Sequence, residues 1–568
     1  MALGRRIGSA LQQVRLSRPW SALHWADTSS CAVLLLASIV MLATLSDYGL
    51  TYDEEPHIRY GERVLAFYTQ GFQLSGSLSR SSYGAGFDLF AALLRRVSPW
   101  DPFRTNHFAC VFVAQLGLLG TWKLGRLVGG ATAGFWSLVF LLLTPVYYGH
   151  QFNNPKDIPF AAGYVWGLYF IARLLSRAVP SGQPGSQHAT LPGWRYWCGL
   201  ALALGLGMSV RVAGGVLIGY AILFSILYAL DQWRVGSPGH WQVQRQLGLL
   251  LAASLFGAWL VMLVFWPRAI RSPLGGPAAA METVSNFVAY DSPTLLRGRS
   301  ISANAVPWDY LPTYFAVQLP EFTSLCWLAS VVLLCWHTVQ ALRRRRPISW
   351  VGWLLVVAVA APPMYAIFRH STLYNGLRHF LFLIPPISVL TGAGVTALKR
   401  LLMRRHSVFR WVSGAALGLF VADQLHATWR LHPHQHVFFN RASGGLGPAV
   451  ERYETEYYGS VYRELGDKLV EQIWRGRQDS YLNTTLQVTG CGSKLFFTEN
   501  LPLNFQYKSL GQARGADLYA SYARDKCLTR FRAHPVLTQV ERDGATLAVA
   551  RDLKRPSRGA KARKAAPQ

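Results

Sequence analysis

Acidic residues and cysteines are the scarce groups in this chain. Against 56 Lys and Arg it carries only 28 Asp and Glu, a formal net charge of +28 over 568 residues. Such an excess can mark a nucleic-acid binder. Here most cations outside the C-terminal region sit in short clusters between apolar runs, as in Arg343, Arg344, Arg345 and Arg346, or Lys399, Arg400, Arg404 and Arg405. That is the positive-inside pattern of a membrane protein, so no nucleic-acid partner is expected. The seven cysteines show no metal-ligand spacing. Five of them (Cys31, Cys110, Cys198, Cys326, Cys335) lie in or beside apolar segments, where a thiol behaves as a small hydrophobe. Cys491 and Cys527 fall in a polar region and can pair if that region faces an oxidising compartment. No internal repeat is visible, which removes one signature of transporters.

Apolar mass is what the chain has in excess. It is 51% hydrophobic, with 20 Trp, 25 Tyr and 29 Phe, and runs such as 31–45, 135–143, 247–265 and 351–359 hold almost no charge. Runs of that kind suit lipid. Eleven spans are expected near 29–47, 105–127, 131–149, 158–176, 196–211, 213–230, 247–266, 322–341, 350–368, 379–398 and 410–428. A cytoplasmic N-terminus (1–28), basic at Arg5, Arg6, Arg15 and Arg18, then puts every basic loop on the same side. The loops 48–104, 149–157 and 267–321 fall outside, and so does everything after the transmembrane region 29–428.

Residues 429–553 read as a small α/β domain. A helix is expected over 460–474, strands over 484–488 and 496–498, and a hairpin over 536–550 turning at Asp543-Gly544. The tail 554–568 is basic and Ala-rich and reads as disordered. Residues 81–97 read as an amphipathic helix at the interface, since Asp88, Arg95 and Arg96 interrupt it.

Three groups of residues carry chemistry. The first is Thr51-Tyr52-Asp53-Glu54-Glu55-Pro56-His57, just after the first span. Carboxylates held against a membrane surface lose solvation, a setting that suits a general base acting on a hydroxyl; a solvated turn closed by Pro56 is the plain alternative. The second is His150-Gln151-Phe152-Asn153-Asn154-Pro155-Lys156-Asp157, between the third and fourth spans. Asn-Pro starts a turn and Asp157 can cap the next helix, but a Lys-Asp pair between two apolar spans is costly and marks a site. The third is a set of cations at outer span ends: Arg211, Arg268, Arg369, His370, Arg378 and His379. Any one can be a snorkelling end residue, whereas several on one face suit an anionic headgroup. A base plus phosphate-binding cations on one face is what transfer from a lipid phosphate requires.

The acidic pair Asp53 and Glu54, the stretch Asn154-Pro155-Lys156-Asp157-Ile158-Pro159-Phe160, and Tyr453-Glu454-Thr455-Glu456-Tyr457-Tyr458-Gly459 together resemble glycosyltransferase family 39. That family includes the protein O-mannosyltransferases and the lipid A aminoarabinose transferase. The resemblance, over roughly residues 30–460, implies the C-type membrane glycosyltransferase fold, with an α-helical polytopic body. It implies a polyprenyl-phosphate-linked sugar as donor, membrane lipids as neighbours, and a glycan, lipid or protein as acceptor.

By position, Asp53 is then the catalytic carboxylate with Glu54 beside it, and Asp157 orients the acceptor or a metal ion. Lys156 contacts the donor phosphate, with Arg211, Arg268, Arg378 and His379 placed near it only by location. His57, His150 and Asn154 are candidates for the acceptor side of the cavity. A divalent cation on Asp53 and Asp157 stays open, as does the role of residues 453–459. No β-trefoil signature follows the last span, which weakens a protein acceptor. The composition looks bacterial, so an inner-membrane enzyme that inverts undecaprenyl-phosphate sugars is expected, with its site and C-terminal domain facing the periplasm. A transporter or lipid-linked sugar flippase is the main alternative, and a non-catalytic anchor the third.

Overall fold

The computed structural model describes residues 24–554 apart from 73–80, 178–192, 237–239, 286–292, 404–407, 476–484, 493, 495, 498–504 and 525. Most of the expected N-terminal segment and nearly all of the expected basic tail lie outside the described residues.

Each of the eleven expected spans coincides with a helix. Eight of these are long and apolar enough to cross a membrane, including α1 (Trp25–Ala43). Ala131–Leu142 and Pro145–Asn153 bend by 71° at Leu143–Thr144, making a ninth if the pair is one span. The bend falls where Pro145, lacking an N–H, starts a new helix. Trp194–Val210 has only 17 residues, and Val408–Arg430 carries Arg410, Asp423, Gln424 and His426. Composition alone could not separate these from the spans that qualify.

The helices sort by what they bury. The span Arg378–Leu402 is 83% buried and forms the middle of the bundle, whereas Glu321–Arg343 is 6% buried. The latter turns Leu325, Leu328, Val332 and Trp336 outward, as α1 does Leu35, Leu36 and Ile39. Apolar side chains left exposed on long helices are a lipid-facing surface. At the end of the bundle away from the carboxylates described below, Asp27 takes Arg126 in a forked contact at 2.8 and 3.0 Å.

After the last long helix the chain builds a five-stranded mixed sheet, ordered β4-β3-β5-β7-β6. Its strands are β3 (Leu486–Gly490), β4 (Phe505–Lys508), β5 (Leu518–Tyr522), β6 (Val536–Arg542) and β7 (Ala545–Asp552); β1 (Pro293–Leu296) and β2 (Arg299–Ser302) form a separate hairpin. β3 runs parallel to β4 and β5, and β7 antiparallel to β5 and β6. Every residue of β5 is buried, as a central strand requires. The β6–β7 hairpin turns at Asp543-Gly544, both with positive φ, which suits the tight two-residue turn expected there. Cys491 and Cys527 are disulfide-bonded.

The expected helix at 460–474 is present as Tyr462–Arg475, and the interface helix as Gly86–Val97. The strand expected at 484–488 lies at Leu486–Gly490. Of the strand expected at 496–498, residue 498 lies outside the described residues, and Phe496 and Phe497 are helical and both buried instead of extended. Phe496 stacks on Tyr462 and Phe497 on Tyr507, so the apolar pair is shared between two neighbours rather than alternating in and out.

Arg542, the last residue of β6, ties the sheet to the helix Tyr462–Arg475 and to the turn after the last long helix. Its guanidinium reaches Glu464 at 3.1 and 2.6 Å and the His432 carbonyl at 3.2 and 2.8 Å. Burial alone raises the Glu464 carboxyl, but the hydrogen bonds and charges of His434 and Arg542 outweigh it and bring the group down to about 2.

Candidate active site

The loop after α1 is laid against the end of the helix Pro145–Asn153 by short-range chemistry. Tyr48 stacks on Phe152 at 3.6 Å, and the Asn153 amide donates to the Gly49 carbonyl at 3.0 Å. The Thr51 hydroxyl donates to the Asn153 carbonyl at 3.0 Å, and the Thr51 N–H to Glu54 at 2.9 Å. The last bond folds the side chain of Glu54, the first residue of the helix Glu54–Thr69, back onto the turn that precedes it. Glu54 is fully buried, with His107 at 2.9 Å and Asn106 at 3.4 Å. It holds the loop's shape and does not open onto Asp53's partners.

Asn154 caps the next helix, Asp157–Arg177. Its Oδ1 accepts from the backbone N–H groups of Lys156 at 3.3 Å and Asp157 at 2.9 Å. The expectation that Asp157 is the cap is therefore corrected: Asp157 is the first helical residue, and its carboxylate is free to take cations. Oδ1 pairs with Arg211, and Oδ2 accepts from Arg378 Nε at 3.2 Å and Asn154 Nδ2 at 2.9 Å. Both oxygens are used, and the side chain is 3% exposed.

Asp53 is different. Its Oδ2 pairs with Arg378, lies 3.6 Å from Lys156 Nζ, and accepts from Tyr458 OH at 3.4 Å. Its Oδ1 has no partner among the described residues, and the side chain is 20% exposed at the wall of a cavity of about 530 Å³.

The cations are pinned from behind. Arg211 ends the helix Trp194–Val210 in extended conformation and bridges Tyr83. The strip before the helix Gly86–Val97 lies so close to that end that a Cβ on Gly84 would stand 2.1 Å from the Ser209 carbonyl. Arg378 follows a turn at Asn375-Gly376, both at positive φ. Glu454 receives the Asn375 N–H at 2.5 Å, Tyr310 OH the Gly376 N–H at 3.2 Å, and Gln318 the Leu377 N–H at 3.1 Å. The Arg378 guanidinium lies over Tyr458 at 4.6 Å, and Lys156 Nζ over Tyr83 at 5.4 Å.

The run 453–459 supplies much of this support. Glu456 accepts the N–H groups of Tyr458 and Gly459 at 3.0 and 2.7 Å and takes His436 at 2.8 Å. Tyr457 OH meets His150 Nε2 at 2.9 Å, and His150 Nδ1 meets the Asn154 amide at 3.3 Å. Tyr458, Tyr83, Tyr52 and the cavity wall from the sheet domain were not legible as site residues. For Tyr458 the signal was the dense aromatic-acidic composition of 453–459, and Tyr52 stood inside the group 51–57 without being singled out.

The structure thus brings Asp53, Lys156, Asp157, Arg211 and Arg378 together, with Asn154 and His150 behind. His379 stands within electrostatic reach of Lys156, Arg211 and Arg378, whereas His57 and Arg268 turn elsewhere. His57 pairs with Asp88 at 2.9 Å, and Arg268 donates to the Ser81 carbonyl at 3.4 Å instead of facing a carboxylate. His379 lies edge-on to Tyr374 at 4.6 Å beside the cations. A divalent ion shared by Asp53 and Asp157 would have to displace Arg211, or Arg378 and Asn154, from Asp157, both of whose oxygens are engaged. Among the described residues no group of three or more His, Cys, Asp or Glu could hold one.

No protein-family model and no curated protein sequence matches the chain. Solved structures similar to it include ArnT from Cupriavidus metallidurans in the apo state, 14% identical over 92% of this chain and 97% of that one, with a TM-score of 0.47. The same protein bound to undecaprenyl phosphate is 14% identical over 93% and 98%, with a TM-score of 0.46. The archaeal oligosaccharyltransferase AglB from Archaeoglobus fulgidus, in complex with an inhibitory peptide and a dolichol-phosphate, is 12% identical over 89% of this chain and 70% of that one, with a TM-score of 0.48.

Proposed function

We propose that this protein is a membrane glycosyltransferase that takes a sugar from a polyprenyl-phosphate carrier, undecaprenyl phosphate in a bacterial inner membrane. The observation that carries the reading is Asp53: one oxygen is held by cations and the other opens onto a cavity. The acceptor hydroxyl attacks the anomeric carbon of the donor sugar while its proton passes to Asp53 Oδ1. The bond from that carbon to the phosphate oxygen breaks, and the electron pair leaves with the carrier phosphate. Arg378, Lys156 and Arg211 stand where that charge develops. Attack from the face opposite the phosphate inverts the anomeric centre.

Charge count supports a monophosphate carrier. Three cations, Lys156, Arg211 and Arg378, face two carboxylates, Asp53 and Asp157, leaving one positive charge. A sugar phosphodiester carries one negative charge and matches it. Asp157, with both oxygens engaged, positions the arginines.

The orientation also has support. The basic groups Arg343–Arg346 and Arg400 lie at helix ends opposite the site, and the disulfide lies in the domain on the site's side. Both suit a site facing the periplasm. A flippase would place ionisable groups near mid-span, whereas this cluster sits at helix ends and in loops.

The test is purified full-length protein in vesicles with undecaprenyl-phosphate-linked radiolabelled sugar and a bacterial envelope extract. The reading expects free undecaprenyl phosphate to appear as label moves to a new product. Intact labelled donor appearing on the other leaflet, with no release, would establish a flippase instead.

A further inference from the structure

The cavity on which Asp53 opens is built by two parts of the chain. Asp53, Arg378 and Asn375 come from the helical body, whereas Arg524, Arg530 and the wall at Gly490–Gly492 come from the sheet domain. Five tyrosines line it: Tyr52, Tyr374, Tyr457, Tyr507 and Tyr522. At about 530 Å³ it falls in the range of small-molecule sites. Lys156 and Arg211 do not line it. Asp53 and Arg378 therefore stand at a boundary, with one cation group on the bundle side and a second, Arg524 and Arg530, across the cavity.

Three features of this wall call for a ligand. Asn375 is 3% exposed, and its Oδ1 is buried with no hydrogen-bond partner, so it lacks a donor such as a hydroxyl. The side chain of Arg530 is exposed and makes no hydrogen bond or ion pair among the described residues. Arg524 lies over Tyr52 at 5.5 Å and donates to the Tyr457 carbonyl at 3.4 Å, which holds its charge at the cavity wall. Among the described lining residues Asp53 is the one carboxylate, and it is already paired with Arg378, so Arg530 adds positive charge to the wall.

We infer that this cavity is the acceptor site and takes an anionic saccharide, one bearing a phosphate or carboxylate. Arg524 and Arg530 hold the anion, and the tyrosine rings lie against the C–H faces of the sugar. Asn375 receives a sugar hydroxyl, and another hydroxyl meets Asp53 Oδ1. Calling the ligand an acceptor rests on the transferase reading; the saccharide site itself does not.

The experiment is saturation-transfer NMR titration of the full-length protein with digalacturonic acid, glucose 6-phosphate and maltose as probes. Release of undecaprenyl phosphate from its sugar-loaded form is measured on the same preparation. The expected result is that a charged probe binds at least about tenfold more tightly than maltose, since charge-assisted hydrogen bonds add to the contact. The carboxylate and phosphate arms then show which anion is preferred. Arg530→Gln, an exposed position safe for folding, weakens the charged probe about tenfold and leaves maltose unchanged. Arg524→Gln acts in the same direction.

Maltose binding as tightly as the charged probes, no binding of any probe, or Arg530→Gln behaving as wild type would overturn the inference. Release of undecaprenyl phosphate alongside such a result leaves the transferase reading standing. Tight binding of a charged saccharide with no release keeps the cavity site and removes that reading.

Discussion

Asp53 and Asp157 reach the same guanidinium from two different settings. Asp157 begins a helix, is 3% exposed, and spends both oxygens on Arg211, Arg378 and Asn154. Asp53 sits in a loop, is 20% exposed, and spends one oxygen on Arg378, Lys156 and Tyr458. A carboxylate whose lone pairs are all engaged orders its neighbours; one with a free oxygen on a cavity can accept a proton. The two acidic motifs look alike in sequence, and it is the count of partners that divides their work.

The largest effect on stability is expected from Asp157→Asn, which leaves Arg211 and part of Arg378 buried without a counter-charge. Breaking a buried pair from one side costs about 3–5 kcal/mol. Thermal unfolding in detergent should show it, and undecaprenyl phosphate should raise the melting temperature of the variant more than that of wild type by supplying the missing anion. Equal stabilisation of both proteins would mean that the phosphate does not bind at these arginines.

Gly84→Ala sharpens the comparison from the cation side. A Cβ there meets the Ser209 carbonyl at 2.1 Å, so the Tyr83–Arg211 bridge must open. Overpacking of this kind costs about 1–3 kcal/mol. Donor affinity should fall together with stability. Unchanged affinity for undecaprenyl phosphate would separate Arg211 from the phosphate site.

Asn154→Ala removes a helix cap and one bond to Asp157, about 1–2 kcal/mol together. It should loosen Asp157 without touching Asp53, so melting should move more than turnover at saturating donor. A loss of turnover with no change in melting would reverse the roles assigned to the two carboxylates.

Farther from the carboxylates, Glu464 gives the smallest effect and a control. Its folded-state value, about 2, lies below the ordinary carboxylate value, so its contribution is present above about pH 4.5 and is lost as pH falls toward 2. Limited proteolysis of the sheet domain should rise over that window in wild type. Glu464→Gln should remove that pH dependence while leaving a domain that is looser at neutral pH.

Much of the architecture was legible because lipid imposes a strong constraint. Helices lie at all eleven expected spans, the third as a bent pair, and the Asp543-Gly544 hairpin followed from turn chemistry. The span count was not legible, because Trp194–Val210 and Val408–Arg430 are short or polar-interrupted. Glu54 was hard to separate from Asp53, since a buried glutamate that ties down its own turn and a base look the same as adjacent letters; His107 and Asn106 reveal the difference. The role of 453–459 was hidden for another reason. Tyr457 meets His150 across 307 positions and Tyr458 meets Asp53 across 405, and local pattern carries no trace of such distances. Phe496 and Phe497 misled because two adjacent apolar residues suit a buried helix as well as a strand.

The most direct test is the single-turnover rate of undecaprenyl phosphate release, at saturating sugar-loaded donor, for wild type, Asp53→Asn and Asp157→Asn. The account predicts that Asp53→Asn still folds and binds donor but releases product about a hundredfold to ten-thousandfold more slowly, the usual contribution of a general base. Asp157→Asn should keep a substantial rate in whatever fraction remains folded. An Asp53→Asn protein that turns over within a few fold of wild type would contradict the assignment of Asp53 as the base.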